Sequence, residues 1–194
     1  MTGVQTCALP IFIVIVAAII SSVYAIFVPS EEDGITIYEV ILELENEHRE
    51  QQSLIIANCQ YDVLNYEGSM ADWREVIAVY AVKLNLDSDN PQEVATFDED
   101  KAEELRKVFW KMNSIRLKTE AITSYVPKQE IDAEGNVVET TERVTNVYLT
   151  VVSDSIDAFQ AADEYEFSAM QDEMLADLLD EKNADIWANL FGAS

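Results

Sequence analysis

Glu45 and His48 stand three residues apart on a helical stretch, the i, i+3 spacing with which helix bundles hold paired iron ions. That chemistry needs a second such pair and further carboxylates facing it. His48 is the only histidine of the chain, so the pair reads as polar residues on a helix seam, with no metal implied. Asp87-Ser88-Asp89-Asn90 has the opening of a calcium loop, but Pro91 follows and Gln92 stands where such a loop needs glycine. An EF-hand is excluded; loose cation contacts by Asp87, Asp89, Asp98 and Asp100, or a solvated loop, remain. Cys59 could be a thiol nucleophile with His48 as its base. The two lie near one helix end with no third group to orient them, and a structural thiol is the simpler reading. With 37 Asp and Glu residues, no carboxylate pair stands out for glycoside cleavage. Glycine-rich phosphate loops, GxSxG and HExxH are absent from the sequence. No catalytic, cofactor-binding or metal-binding residue emerges. Of the three tryptophans, Trp73 and Trp187 fall on apolar stripes and read as core. Trp110 lies off its stripe and is the candidate contact surface.

The totals set the frame for these residues. Lys and Arg number 12 against 37 acids, a formal net charge of −25, which repels nucleic acid, anionic lipid and phosphate-bearing wall polymers. The hydrophobic share of 49% is ample for a core. The 194 residues leave room for one domain of about 150 residues beside any leader or anchor. Cys7 and Cys59 flank a long apolar run and show no metal or redox spacing.

That run, Ile11–Val28, carries no charge and matches the roughly 17–25 residues a membrane helix needs. It reads as a single retained anchor. Val23-Tyr24-Ala25 keeps a cleaved signal peptide open, although the run is long for one. Pro29 and Glu31-Glu32-Asp33 mark the exit from lipid. Before the run, residues 1–10 lack Lys and Arg, and Thr2–Ile11 resembles a translated sequencing adapter; this stretch is expected to be artefact or disordered.

Beyond the anchor, residues 31–60 read as a stalk helix, with Ile37, Ile41, Leu44, His48, Gln51 and Ile55 on its seam. Residues 61–194 read as a small α+β domain outside the cytoplasm. Tyr61–Gly68 lacks helical period and is expected to be a loop or extended link. Ser69-x-x-Asp72 has the spacing of a capping box before an apolar helix through Leu84, expected to be the most buried. A loop with Asn90-Pro91 leads to a helix bearing Leu105, Val108, Phe109 and Met112, capped by Asp98 or Thr96. Then the period drops to two. Residues from Ile115 and a second β-rich run over Val137–Val152 flank the turn Asp132–Asn136, a long antiparallel hairpin whose distal part is polar. Ser153–Tyr165 is expected to form a short helix with Ile156 and Phe159 inward. Ser168 caps another, with Met170, Met174 and Leu175 on its stripe. The expected fold class is therefore α+β: a single N-terminal transmembrane helix, then a mostly helical domain with one long antiparallel β-hairpin.

Three phrases of the sequence are distinctive in their order. They are Asp72-Trp73-Arg74-Glu75-Val76-Ile77 with its continuation to Lys83, Asp89-Asn90-Pro91-Gln92-Glu93, and Val108-Phe109-Trp110-Lys111-Met112-Asn113. With the Thr/Glu-rich hairpin and the Asp163-Glu164-Tyr165-Glu166-Phe167 stretch, they resemble the membrane-proximal region of cell-wall hydrolases encoded on conjugative transposons of Firmicutes. In that family an anchor and this module precede a secreted catalytic domain, commonly a CHAP or NlpC-type cysteine peptidase or amidase, or a lysozyme-like enzyme. The resemblance implies a fragment that positions a peptidoglycan hydrolase without catalysing. Its implied location is the cell membrane, single-pass, with the lipid bilayer met through residues 11–28 and the C-terminal domain outside. Conjugation-channel proteins or peptidoglycan are the implied partners. No catalytic residue carries over, because His48 precedes Cys59 in one helical stretch. The alternative is a stand-alone extracytoplasmic binding or scaffold protein of a conjugation or secretion apparatus.

Overall fold

The computed structural model describes residues 35–87 and 97–191. In chain order its elements are α1 (Ile37–Ile56), β1 (Val63–Gly68), α2 (Trp73–Asp87), α3 (Glu99–Met112), β2 (Asn113–Ile131), β3 (Val137–Ser155), α4 (Ala158–Glu164), α5 (Ala169–Leu179), a 3-10 turn (Glu181–Asn183) and α6 (Ala184–Phe191). The class is α+β, with six helices and one three-stranded sheet among the described residues.

The expected fold class is corrected in two respects. No described helix is long and apolar enough to cross a membrane. The longest, α1, carries Glu39, Glu43, Glu45, Glu47, Arg49 and Glu50, a density of charge that lipid does not tolerate. The expected transmembrane stretch, residues 11–28, lies outside the described residues, as do residues 1–10. The hairpin, in turn, is part of a larger sheet: Tyr61–Gly68, expected to be a loop or link, supplies β1.

The chain forms two compact units. Among the described residues, one takes those up to His48, those between Met70 and Ser114 and those from Ser155 onward; the other takes Arg49–Ser69 and Ile115–Asp154.

The first unit is helical. Its centre is α2, where every residue from Val76 to Val82 is fully buried. A helix apolar on all sides must be surrounded, at roughly 1.5–3 kcal/mol of stabilisation per large side chain removed from water. Asp72, not Ser69, starts it: the Asp72 Oδ1 accepts from the Arg74 N–H at 2.8 Å. Asp98 caps α3 by accepting from the Lys101 N–H at 3.0 Å. The α3 stripe Leu105, Val108, Phe109 and Met112 is buried as its spacing predicts. Ile37, Leu44 and His48 of α1 are core residues too.

Where α3 ends, Asn113 is both its C-cap and the first residue of β2. Its buried amide donates to the Phe109 carbonyl and accepts from the Ala71 N–H, each at 2.8 Å. A helix thus passes into a strand without a loop. Beyond β3, the expected helix Ser153–Tyr165 is shorter, because β3 runs to Ser155 and a capping box on Asp157 and Gln160 opens α4. This shift in phase turns Phe159 outward, 50% exposed, and leaves Ala158, Ala161 and Ala162 facing the core. Ser168 caps α5 as expected, with Met174 and Leu175 buried and Met170 exposed.

The second unit is the sheet, in the order β1-β3-β2. β1 runs parallel to β3, with Val63 opposite Tyr148 and Gly68 opposite Ser153. Gly68 holds φ at +77°, and a Cβ there would collide with the Ser153 carbonyl oxygen, so only glycine closes this end of the pairing. The connection from β2 to β3 is the turn around Asp132, whose N–H donates to the Asn136 carbonyl at 2.9 Å. The Asp132 carboxylate accepts from the Glu134 and Asn136 N–H groups. These bonds, the Asn136 backbone foremost, hold its pKa below the usual value. β2 and β3 are each 19 residues long, β1 only six. Beyond the reach of β1 the sheet is, among the described residues, a two-stranded ribbon.

Candidate functional site

Of the residues singled out in the sequence, Glu45, His48, Trp73 and Trp110 come together in the helical unit, where α1, α2 and α3 meet. His48 is 3% exposed. Its ring lies nearly parallel to Trp110, with centroids 6.0 Å apart and planes at 19°, and edge-on to Phe109 at 6.4 Å. Trp73 stacks on Phe109 with centroids 5.1 Å apart. The four rings form a continuous aromatic layer. Its polar rim is built from α1: the Trp73 Nε1–H donates to Glu45 at 3.0 Å, and the Trp110 Nε1–H to Glu47 at 3.3 Å. Arg106 pairs with Glu47, with Glu43 at 3.3 Å and with Glu103 at 3.5 Å. The buried His48 Nε2 has no hydrogen-bond partner among the described residues. Burial pushes the pKa of His48 below the ordinary imidazole value, so the ring is neutral at pH 7.

Each carboxylate here faces a donor of this chain. Glu45 serves an indole while His48 is sealed beneath another, and no group of three or more metal-ligating side chains assembles among the described residues. Cys59 belongs to the sheet unit, where its thiol donates to the Ile55 carbonyl at 3.4 Å. Of the carboxylates considered for a cation, Asp98 is spent on its cap, while Asp89 lies outside the described residues. Trp110, the candidate contact surface, is half-buried, with one face on His48 and its N–H on Glu47.

A second cluster was not singled out in the sequence. Lys83 and Lys107 converge on Glu104 at 2.7 and 2.6 Å, and Lys111 on Glu164 at 2.7 Å. The hydrogen bond from Lys107, then that from Lys83, holds Glu104 below the usual carboxylate value. Lys83 and Lys111 also lie over the Tyr165 ring, 5.5 and 5.9 Å from its centroid. Burial, then the charges of Glu104 and Glu164, raises the Tyr165 pKa. Beneath them Tyr80 is fully buried, its hydroxyl without a hydrogen-bond partner among the described residues, and burial raises its pKa strongly. In so acidic a chain the gathering of three lysines is notable, yet each is matched by an acid. The signal that could have found it is the spacing of Glu104, Lys107 and Lys111 along one helix face.

Compared with protein-family models, curated proteins and solved structures, the chain matches none.

Proposed function

We propose that this chain is a non-catalytic positioning module of a peptidoglycan hydrolase carried by a conjugative element, working outside the cytoplasm. The observation that supports it best is the way the polar groups around His48 are used. Glu43, Glu45, Glu47 and Arg106 bond to one another and to the indole N–H groups. They brace a helical junction instead of converging on an open space where substrate could react. Two of the three sequence phrases that resemble the hydrolase family fall on this junction, Asp72–Lys83 at the start of α2 and Val108–Asn113 at the end of α3, while Asp89–Glu93 lies outside the described residues. A module of this kind acts by holding an enzyme near its substrate, which raises effective concentration without adding chemistry. Its acidic surface keeps it from sticking to phosphate-bearing wall polymers. The reading needs no membrane-spanning segment.

The test is a peptidoglycan zymogram with the purified full chain. No clearing is expected at any pH; a cleared band that persists through repurification would overturn the proposal. Protease added to intact cells is expected to degrade the chain, and full resistance would place it elsewhere.

The second reading, a stand-alone extracytoplasmic scaffold of a conjugation or secretion apparatus, is favoured by the two-stranded ribbon and its exposed Tyr125, Ile131 and Val137. Under it, Tyr125→Ser and Ile131→Ser abolish retention of channel proteins on the immobilised chain. Under the first reading, retention follows a hydrolase and is indifferent to these substitutions.

A further inference from the structure

The two edges of the ribbon differ in whether they can accept another strand. Cross-strand contacts fix which backbone groups face inward. Asp132 bonds to Asn136, and Lys128 offers its carbonyl to the Thr140 hydroxyl, so even-numbered residues of β2 and β3 direct their N–H and C=O groups at each other. Odd-numbered residues direct theirs outward. On β3 this is seen directly: the Val147 carbonyl accepts from the Asp62 N–H, and the Val147 N–H donates to the Asp62 carboxylate at 2.7 Å. From Tyr148 to Ser153 this side is covered by β1. From Val137 to Thr145 no described strand covers it.

β2 presents the opposite edge, and Pro127 sits on it with its missing N–H turned outward. Proline at that position removes a ladder bond from any strand laid alongside, a common guard on sheet edges. The β3 edge has no proline from Val137 to Thr145. It also carries two unmatched charges. Lys128 pairs with Glu130 at 3.1 Å and Glu142 at 3.7 Å, but Glu139 and Arg143 take no ion pair among the described residues. They stand two residues either side of Thr141.

We propose that a second copy of this chain adds to the open edge of β3, antiparallel and two-fold symmetric about Thr141, joining two hairpins into a four-stranded sheet. Thr141 then faces its own counterpart, and each Glu139 lies beside Arg143 of the second copy. Opposite charges placed directly across a strand pair are stabilising, like charges the reverse. Centring the pair on Glu139, Glu142 or Arg143 sets like charges face to face, and centring it on Thr140 loses the ion pairs. The shared edge also places Val138 beside Val144 of the second copy. A two-stranded ribbon is marginal in water, whereas three or more strands hold. Tyr125, Ile131 and Val137, each about two-thirds exposed or more in one copy, lie on the face that the wider sheet extends.

Sedimentation of the full chain over a dilution series tests this. Dimers are expected at high concentration. Arg143→Glu or Glu139→Arg alone weakens association by about tenfold, and the double exchange restores it. Thr141→Pro removes only an outward N–H, so it abolishes the dimer while the far-ultraviolet circular dichroism stays unchanged. In a Cys7→Ser, Cys59→Ser background, Thr141→Cys is expected to form a disulfide between copies on mild oxidation, because directly opposed strand residues lie at roughly 5.5 Å between Cα atoms. Ala121→Cys on β2 is expected not to. A monomer at every concentration, association indifferent to the charge exchange, or cross-linking at Ala121 as efficient as at Thr141 would each overturn the proposal.

Discussion

Asn113 does with one side chain what most helix-to-strand junctions do with a loop. Its amide satisfies the Phe109 carbonyl at the end of α3 and the Ala71 N–H ahead of α2. Asn113→Leu keeps the volume but strands both backbone groups in a buried site. A loss of about 2–3 kcal/mol is expected by urea denaturation. His48 is the converse case, a buried polar atom with no hydrogen-bond partner among the described residues. Its folded pKa lies below its unfolded value of about 6.5. The unfolded chain therefore binds the proton first, and the contribution of His48 is complete above about pH 6.5 and lost as pH falls through the folded value. His48→Phe is expected to flatten the fall in stability that sets in below about pH 6.5, above the range where ordinary carboxylates titrate. An unchanged slope would count against this. Neither role was legible from residue type. The sequence shows His48 on a seam of α1, but a seam does not reveal that Trp110 closes over it, since that contact joins helices more than sixty positions apart.

Elements were read well where their signal is local. The apolar run of α2, the stripe of α3 and the turn at Asp132–Asn136 each follow from periodicity or turn chemistry. β1 was missed because Val63-Leu64-Asn65-Tyr66-Glu67-Gly68 has little alternation of its own and is made a strand by its partner β3. The end of β3 was misread for the same reason, since pairing with β1 carries the strand on to Ser153 and past it. α4 ends with Glu166 at φ 55°, a left-handed position, while the Phe167 N–H reaches back to the Ala162 carbonyl at 3.0 Å. This is a Schellman ending with glutamate where glycine is preferred. Glu166→Gly is expected to stabilise the chain by about 1 kcal/mol, read as a higher melting temperature. A loss of stability would mean that the Glu166 side chain contributes more than its backbone costs.

At the scale of the molecule, 37 acids against 12 bases leave a strong self-repulsion that the ion pairs around Arg106 and Glu104 offset only locally. The Debye length shrinks from about 30 Å at 0.01 M salt to about 3 Å at 1 M, so the melting temperature is expected to rise by several degrees across that range. A fall would show that the paired charges outweigh the unpaired ones. The parallel register of β1 with β3 also governs the order of assembly. Roughly eighty residues separate Leu64 from its partner Leu149, and closing a loop of that length costs roughly 4 kcal/mol of chain entropy before any contact repays it. During synthesis, α1, α2 and α3 are all made before β3 exists. β1 therefore waits on the nascent chain as a lone extended segment until β3 emerges, and α2 waits longer still, since the α5 that packs against it is made after the sheet.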